Sequence, residues 1–299
     1  MTLEQLRIFV AVAERQHVTQ AAQAINITQS AASAAIAALE GRYRVKLFDR
    51  IGRRIALTKA GETFLAEARI VLMRAAAAER TLADLAGVKR GAVTIHASQT
   101  ITNYWLPPFI AAFRARYPGI TLHVVAGNTQ QVAAATRDGL ADLGFVEGAV
   151  EDPQLSSRAV DEDRLIAVFA QSDPLAHKRK LSTRDVRQAR WVLREPGSGT
   201  RAEFEAALKR LGVAPQELNV ALELPSNEAV LAAVGAGAGG TVVSALVAEA
   251  GLRSGALRSP GLALPKRAFL VLRHRERYVS QAEAAFLALI EEGRGRARC

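Results

Sequence analysis

Apolar residues in the first fifth of the chain recur at helical spacing, whereas beyond residue 92 they gather into short runs that alternate with amphipathic segments. Leu6, Phe9, Val10 and Ala13 predict the inner face of a first helix. A second helix starts near Thr19, buries Ala21, Ala22 and Ile25, and breaks at Asn26. In the third, Ala32, Ile36, Leu39 and Tyr43 follow four-three-four spacing, which puts them on one stripe facing a small core. Gln29, Ser30, Ser33 and Ala37 fall on the opposite side. That outer face is short, uncharged and able to hydrogen-bond, which suits a helix lying in a major groove. Thr28 is the expected N-cap, since its hydroxyl can accept an orphan backbone N–H of the first turn. So short a break between the second and third helices forces a steep crossing, as in a helix-turn-helix. Ile51-Gly52-Arg53-Arg54-Ile55 then reads as a hairpin tip, or wing, carrying cations.

From Thr58 to about Val88 the pattern predicts one long helix without proline. Phe64, Ala68, Val71, Ala75, Ala78, Leu82 and Leu85 are spaced 4-3-4-3-4-3, a heptad seam that favours a second helix as partner over packing on its own domain. Gly87-Val88-Lys89-Arg90-Gly91 ends it. Strands follow at Val93 to Ala97, Ile120 to Ala126, Ala141 to Val146, Arg164 to Ala170, Trp191 to Leu193, Val220 to Leu222, Thr241 to Val243 and Ala268 to Leu272. Helices fall at Leu106 to Tyr117, Thr129 to Asp138, Thr200 to Leu211, Glu228 to Val234, and through Phe286 and Ile290. Strand-helix alternation with short turns implies parallel sheets. Two such units joined by two crossings suggest paired α/β lobes with a cleft between them.

Charge sharpens this division. The 299-residue chain carries a formal net charge of +10, and its first 60 residues hold nine Lys/Arg against four Asp/Glu. Arg42, Arg44, Lys46, Arg50, Arg53, Arg54 and Lys59 cluster after the third helix, so a polyanion is the expected partner of this end. The sole cysteine, Cys299, leaves no disulfide framework and no cysteine-based metal site. No apolar run approaches the roughly 18–20 residues that span a bilayer. The amino terminus is amphipathic rather than signal-like, and a cytoplasmic setting is expected.

Residues 1–60 resemble the amino-terminal domain of LysR-type transcriptional regulators. The resemblance is carried by Leu6, Phe9, Ala21-Ala22, Thr28-Gln29-Ser30-Ala31, Ser33, Ile36, Leu39-Glu40, Leu47-Phe48-Asp49-Arg50 and Leu57-Thr58-Lys59-Ala60-Gly61. Two positions depart from it: Ala34, where the family often has arginine, and Arg44, where glycine is usual. The resemblance implies a winged helix-turn-helix over residues 1–58 and a dimerising linker helix over 59–89. It also implies an effector-binding domain over 90–299, similar to type-2 periplasmic-binding-protein folds. The lobes would span about 90–161 plus 267–299, and 162–266. Thr28, Gln29, Ser30, Ser33, Arg50, Arg53 and Arg54 are the candidate DNA contacts. Double-stranded DNA with a palindromic promoter site, the transcription machinery and self-association as dimer or tetramer are the implied partners.

In open α/β sheets, ligands collect where strands end and helices begin. Ser98-Gln99-Thr100, Asn128-Thr129-Gln130 and Gly197-Ser198-Gly199-Thr200 lie at three such places, offering backbone N–H groups and hydroxyls suited to an anion. Ser98, Gln99, Thr100, Thr129, Glu147, Ser198, Gly199 and Thr200 are therefore the candidate effector ligands. Glu147 could accept from a ligand donor or hydrogen-bond a protonated oxyanion, and a hinge salt bridge is an equal reading. The strings around Ser98 to Tyr104, Phe145 to Gly148, Arg194 to Arg201 and Leu224 to Glu228 resemble the sulfur-metabolism LysR regulators that sense sulfite-like anions. A larger organic acid is the alternative. Gly197-Ser198-Gly199-Thr200-Arg201-Ala202 also fits a dinucleotide fingerprint, but a fingerprint normally follows a domain's first strand, and Pro196 crowds the turn. No GKS/T loop, HExxH pair or GxSxG elbow occurs, so neither enzyme activity nor a cofactor or metal is expected. His96 and His123 are expected to be packed on strands. A free solute-binding protein is disfavoured by the helix-turn-helix.

Overall fold

In the computed structural model, which describes residues 1–51, 54–85 and 91–297, the chain divides into two compact units, Met1–Ala86 and Gly87–Cys299. The side chains of residues 50, 51, 54, 80, 83–85 and 294–297 lie outside that description.

The first unit is three short helices, a hairpin and one long helix: α1 (Leu3–Arg15), α2 (Val18–Ala24), α3 (Gln29–Tyr43), β1 (Phe48–Ile51), β2 (Arg54–Leu57) and α4 (Lys59–Leu85). Local chemistry sets each boundary. Thr2 and Gln5 form a reciprocal capping box on α1. Asn26 takes a left-handed φ of 56° and ends α2, and the Thr28 hydroxyl accepts from the Ala31 amide to open α3. Arg44 closes α3 at φ 54°, the left-handed exit that glycine would take without a Cβ penalty. Phe9 is the hub of the core, with ring centroids 4.8 Å from Phe64 and 5.4 Å from Phe48. Ala32 and Leu39 are buried as the stripe predicts, but Tyr43 is 52% exposed, one turn past the core and under Arg42.

Glu40 pins the wing. Its carboxylate accepts from the Leu47 amide at 2.7 Å, the Phe48 amide at 3.2 Å and Lys46 at 2.9 Å. Burial alone would raise its pKa, but the Lys46 bond and the two amides outweigh burial and leave it lowered. Gly61 lies under the same corner, where a Cβ would come 2.1 Å from the Leu47 carbonyl oxygen.

The heptad seam of α4 is divided in use. Phe64 and Ala68 pack into the α1–α3 core, the reading the sequence disfavoured for the whole stripe. Val71 is 40% exposed and Leu82 69% exposed, and the Leu85 side chain lies outside the described residues.

The second unit contains β3 (Gly91–Ser98), α5 (Pro107–Arg116), β4 (Ile120–Gly127), α6 (Thr129–Asp138), β5 (Leu143–Glu147), β6 (Leu155–Ala170), α7 (Thr183–Gln188), β7 (Arg190–Arg194), α8 (Gly199–Arg210), β8 (Asn219–Leu224), α9 (Asn227–Gly235), β9 (Thr241–Ser244), α10 (Ala245–Arg253), β10 (Leu257–Arg258), β11 (Lys266–His274) and α11 (Gln281–Ala297). A π-helical turn at Ile101–Trp105 leads into α5. The strand order is β10-β6-β11-β5-β3-β4 with β9 also on β6, and β7 pairs with β8 separately.

Among the described strand pairs of this unit, β3/β4, β3/β5 and β7/β8 are parallel, and the expectation of parallel sheets fails for β6, β9, β10 and β11. The cause is β6, 16 residues long, which runs through both lobes beside β11 before meeting β9 and β10. Its first half is mostly solvent-facing, so the apolar run at Arg164 to Ala170 shows only the second half. One apolar core gathers around Phe145, Trp105, Phe269 and Phe286, and a second around Trp191, Phe169 and Phe204. His96 is half-buried on β3, whereas His123 stands exposed on the edge strand β4 rather than packed.

Candidate DNA-reading helix and effector cleft

On α3 the outward residues form a hydrogen-bonded row. Thr28 and Ser30 hydroxyls are 3.0 Å apart, and the Gln29 amide donates to the Ser33 hydroxyl at 2.9 Å. Thr28, Gln29 and Ser30 are exposed and Ser33 is half-buried, with Ala37 further along the same face. Arg50 and Arg54 lie on the two wing strands, where Arg50 pairs with Ile55 and Ile51 with Arg54. Arg53 lies outside the described residues.

In the second unit, the three turns singled out from the sequence converge where the two lobes meet. Ser98 ends β3, and its hydroxyl is buried without a hydrogen-bond partner. Gln99 spans the lobes, donating to the Pro225 carbonyl at 2.9 Å and accepting from the Asn227 amide at 3.2 Å. The Thr100 hydroxyl accepts from Asn227 at 3.2 Å. Asn103 and the Tyr104 hydroxyl both donate to Glu228, at 3.0 and 3.1 Å. Burial, then the Glu228 charge, pushes the Tyr104 phenol up to about 12. For Glu228, burial would raise the pKa, but its own amide, the Asn103 and Tyr104 donors and the Arg194 charge prevail and lower it.

Asn128, not Thr129, caps α6, and the Thr129 hydroxyl donates to the Glu147 carbonyl at 3.3 Å. Ser198 caps α8. Gly199 is required by contact, because a Cβ there would sit 2.4 Å from the Glu147 carbonyl oxygen and 2.5 Å from the Thr129 hydroxyl. The Thr200 hydroxyl donates to Glu147 Oε1 at 3.4 Å and accepts from Arg267 Nη1 at 3.0 Å. Arg267 in turn holds Asp163 through Nε at 2.8 Å and lies 3.8 Å from Glu147 Oε1. Ser244 donates to the other Asp163 oxygen at 2.7 Å. Glu147 thus has the Arg267 ion pair on one oxygen, while its Oε2 is buried without a hydrogen-bond partner.

Sequence reasoning missed Arg194, Asn227, Arg267 and Asp163. Arg194 is buried and donates to both oxygens of Glu195, at 2.8 and 3.0 Å, and to Asn227 at 2.8 Å. Asn227 is the centre of the network, joining Arg194 to Thr100. Both fall within the strings that carry the subgroup resemblance, but no local pattern marked either as a partner of the candidate turns. An open cavity of about 570 Å³ between α6 and α8 shares Thr129, Glu147, Ser198 and Gly199 with this cluster and brings solvent to its edge. Among the described residues, no group of three or more His, Cys, Asp or Glu could hold a metal ion, and no helix is long and apolar enough to cross a membrane.

Comparison with known proteins decides the family. Residues 86–294 match the LysR substrate binding domain, and residues 3–62 match the bacterial regulatory helix-turn-helix protein of the lysR family. The chain is a LysR-type transcriptional regulator. It is 35% identical over 289 residues, 96% of each chain, to the uncharacterized HTH-type transcriptional regulator YeiE of Escherichia coli K12. To the HTH-type transcriptional regulator CysL of Bacillus subtilis it is 31% identical over 244 residues, 82% of this chain and 81% of that one. The fold matches that of full-length CbnR complexed with its target DNA at a TM-score of 0.73, with 23% identity over 98% of this chain and 99% of that chain. The family is one of regulators rather than enzymes, so the dinucleotide-fingerprint reading of Gly197 to Ala202 falls away. This LysR-type regulator therefore combines the family's helix-turn-helix with its two-lobed effector-binding fold.

Proposed function

We propose that this regulator reads duplex DNA through α3 and the wing, and that a small anion held between the lobes of residues 90–299 modulates that binding. The observation that carries the effector half is a set of three buried polar atoms without hydrogen-bond partners at the lobe junction, the Ser98 hydroxyl, Glu147 Oε2 and Arg267 Nη2, the last of which keeps only its ion pair with Asp163. Orphaned buried polar groups are costly unless something meets them, and their place at the cleft turns suits a bound ligand. Sulfite heads the candidates, in keeping with the sulfur-metabolism resemblance of the strings around Ser98, Glu147, Arg194 and Asn227. An organic acid is the alternative, with Gln99 as the residue that would have to release Asn227 to admit it. Ser98, Thr100 and Ser198 would donate to the anion, and Thr200 would join them by turning its hydroxyl away from Glu147. The test is a calorimetric screen of both classes against wild type and a Ser98→Ala, Thr200→Ala double variant. Binding that survives the double substitution would move the pocket elsewhere.

On the DNA side, Gln29, Ser30 and Ser33 read base edges with Thr28 as the cap that orients them, while Arg50, Arg53 and Arg54 hold phosphates or the minor groove. Gln29→Ala or Ser33→Ala should cost about 1–3 kcal/mol on the cognate site and far less on random duplex. Arg54→Ala should weaken all sequences alike and lower the salt slope by about one. Equal loss on cognate and random duplex for Gln29→Ala would remove it from base reading.

The regulator pairs through the exposed part of the α4 seam, within a linker spanning residues 59–89 that follows the 1–58 DNA module. Val71 and Leu82 supply apolar surface there that nothing in the first unit covers. Twofold pairing, repeated once in a tetramer, implies palindromic half-sites and a cytoplasmic protein acting at promoters with the transcription machinery. A Val71→Asp, Leu82→Asp variant should sediment as a monomer with only non-specific DNA affinity. Parental assembly in light scattering would exclude the seam as the contact. Effector binding changes DNA binding only through differential affinity for two lobe arrangements.

A further inference from the structure

The unpartnered atoms of the cleft and the charges around them limit what the anion can be. In its ion pair with Arg267, Glu147 presents Oε2 as an acceptor, whereas the Ser98 hydroxyl can accept or donate. Both buried arginines beside them are already committed. Arg267 is held by Asp163, Thr200 and the other oxygen of Glu147, its Nη2 without a hydrogen bond but ion-paired to Asp163 at 2.6 Å, and Arg194 is held by Glu195 and Asn227. The amino terminus of α8, the natural seat for a bare anion, packs on Glu147 itself at Gly199 and Thr200. In the adjoining cavity Arg137 is paired with Asp138 and Asp152, and Glu203 adds a further carboxylate next to Gly148.

A fully deprotonated oxyanion would therefore meet no free cation among the described residues, and it would press a lone pair against a buried carboxylate oxygen. Like charges in a poorly screened site repel strongly, and the acceptor would stay unsatisfied. An oxyanion that keeps one proton removes both penalties. Its O–H donates to Glu147 Oε2 while its remaining oxygens accept from the hydroxyls of Ser98 and Ser198.

Resting on the cleft reading above, we propose that this site selects a small oxyanion that retains a proton at neutral pH, with Glu147 as the residue that enforces the choice. Hydrogensulfite and hydrogenphosphate meet the requirement. Sulfate and thiosulfate do not.

The test is calorimetry of the full-length protein with sodium sulfite, phosphate and sulfate, in wild type, E147Q and S98A, at about pH 6 and about pH 8. Wild type should favour sulfite over sulfate by at least about 100-fold at the lower pH, as expected of a buried acceptor left unpaired. Sulfite affinity should fall at the higher pH as its last proton is lost. In E147Q the side-chain amide can donate to an unprotonated oxygen, so sulfate binding should appear and the pH dependence should flatten. S98A should weaken sulfite at both pH values, which ties the signal to the cleft. Sulfite binding that is unchanged or stronger at high pH, or sulfate bound equally by wild type, overturns the proton requirement and leaves the anion site standing. If no oxyanion binds wild type or E147Q at either pH, the anion site falls as well.

Discussion

Replacing Arg267 with methionine is expected to destabilise the second unit by about 3–5 kcal/mol, the usual result of removing one partner from a buried ion pair. Arg267 is 4% exposed, and its guanidinium is the only cation within ion-pairing distance of Asp163 among the described residues. Methionine fills much of the same volume, so the loss comes from stranded charge rather than from a cavity. Asp163 would keep only the Ser244 hydroxyl at 2.7 Å, and Glu147 would keep only Thr200 at 3.4 Å. The variant Arg267→Met, Asp163→Asn should recover a large part of the loss, since asparagine can still accept from Ser244 and brings no charge. Both tryptophans, Trp105 and Trp191, belong to the second unit, so urea unfolding followed by tryptophan fluorescence reports on that unit alone. A single-variant loss below about 1 kcal/mol would mean that water reaches Asp163 and Glu147 freely enough to replace the arginine.

Arg267 also marks the boundary of what the sequence discloses. The DNA-reading half is legible because its determinants are local. Thr28 caps the helix it precedes, Asn26 breaks the helix it follows, and the Ala32–Leu39 stripe meets partners within the same short module. Tyr43 misleads because helical spacing says which direction a residue faces, not where the core ends. The cleft turns are legible for the same local reason, since Ser98, Asn128 and Ser198 each end a strand or open a helix. Their partners are another matter. Arg267 reaches Asp163 and Thr200 across 104 and 67 positions, and Asn227 reaches Thr100 across 127. No periodicity encodes such distances, and a lone arginine at the start of a strand reads as a solvated edge. β6 is half-legible for a related reason: its polar first half is ordered by pairing with β11, which only the assembled sheet supplies.

Glu283 should make this regulator less stable as pH rises from about 4.5 to about 7, a direction opposite to that of a salt-bridged carboxylate. Glu283 lies in the first turn of α11, 5% exposed, with the Ser280 hydroxyl donating to it at 3.1 Å. Its pKa is raised from 4.5 to about 7, first by burial and then by the charge of Asp142, with Arg277, Arg273 and Ser280 pulling the other way. Arg277 is engaged by an ion pair with Asp142, and Arg273 Nε stands 3.7 Å from Glu283 Oε2, so neither cation offsets the desolvation. The native state thus holds a proton that the unfolded chain releases near the ordinary carboxylate value. The stabilisation is fully present below about pH 4.5 and is lost as pH climbs through about 7, amounting to roughly 3 kcal/mol at about 1.4 kcal/mol per unit. Glu283→Gln mimics the protonated acid, keeps an acceptor for Ser280 and cannot ionise. It should be near neutral at about pH 5 and stabilising by about 2–3 kcal/mol at about pH 8, so that its stability profile crosses this window with a smaller downward slope than wild type. Parallel profiles for the two proteins in urea unfolding would mean that Glu283 ionises normally and that Arg273 and Arg277 compensate its burial in full.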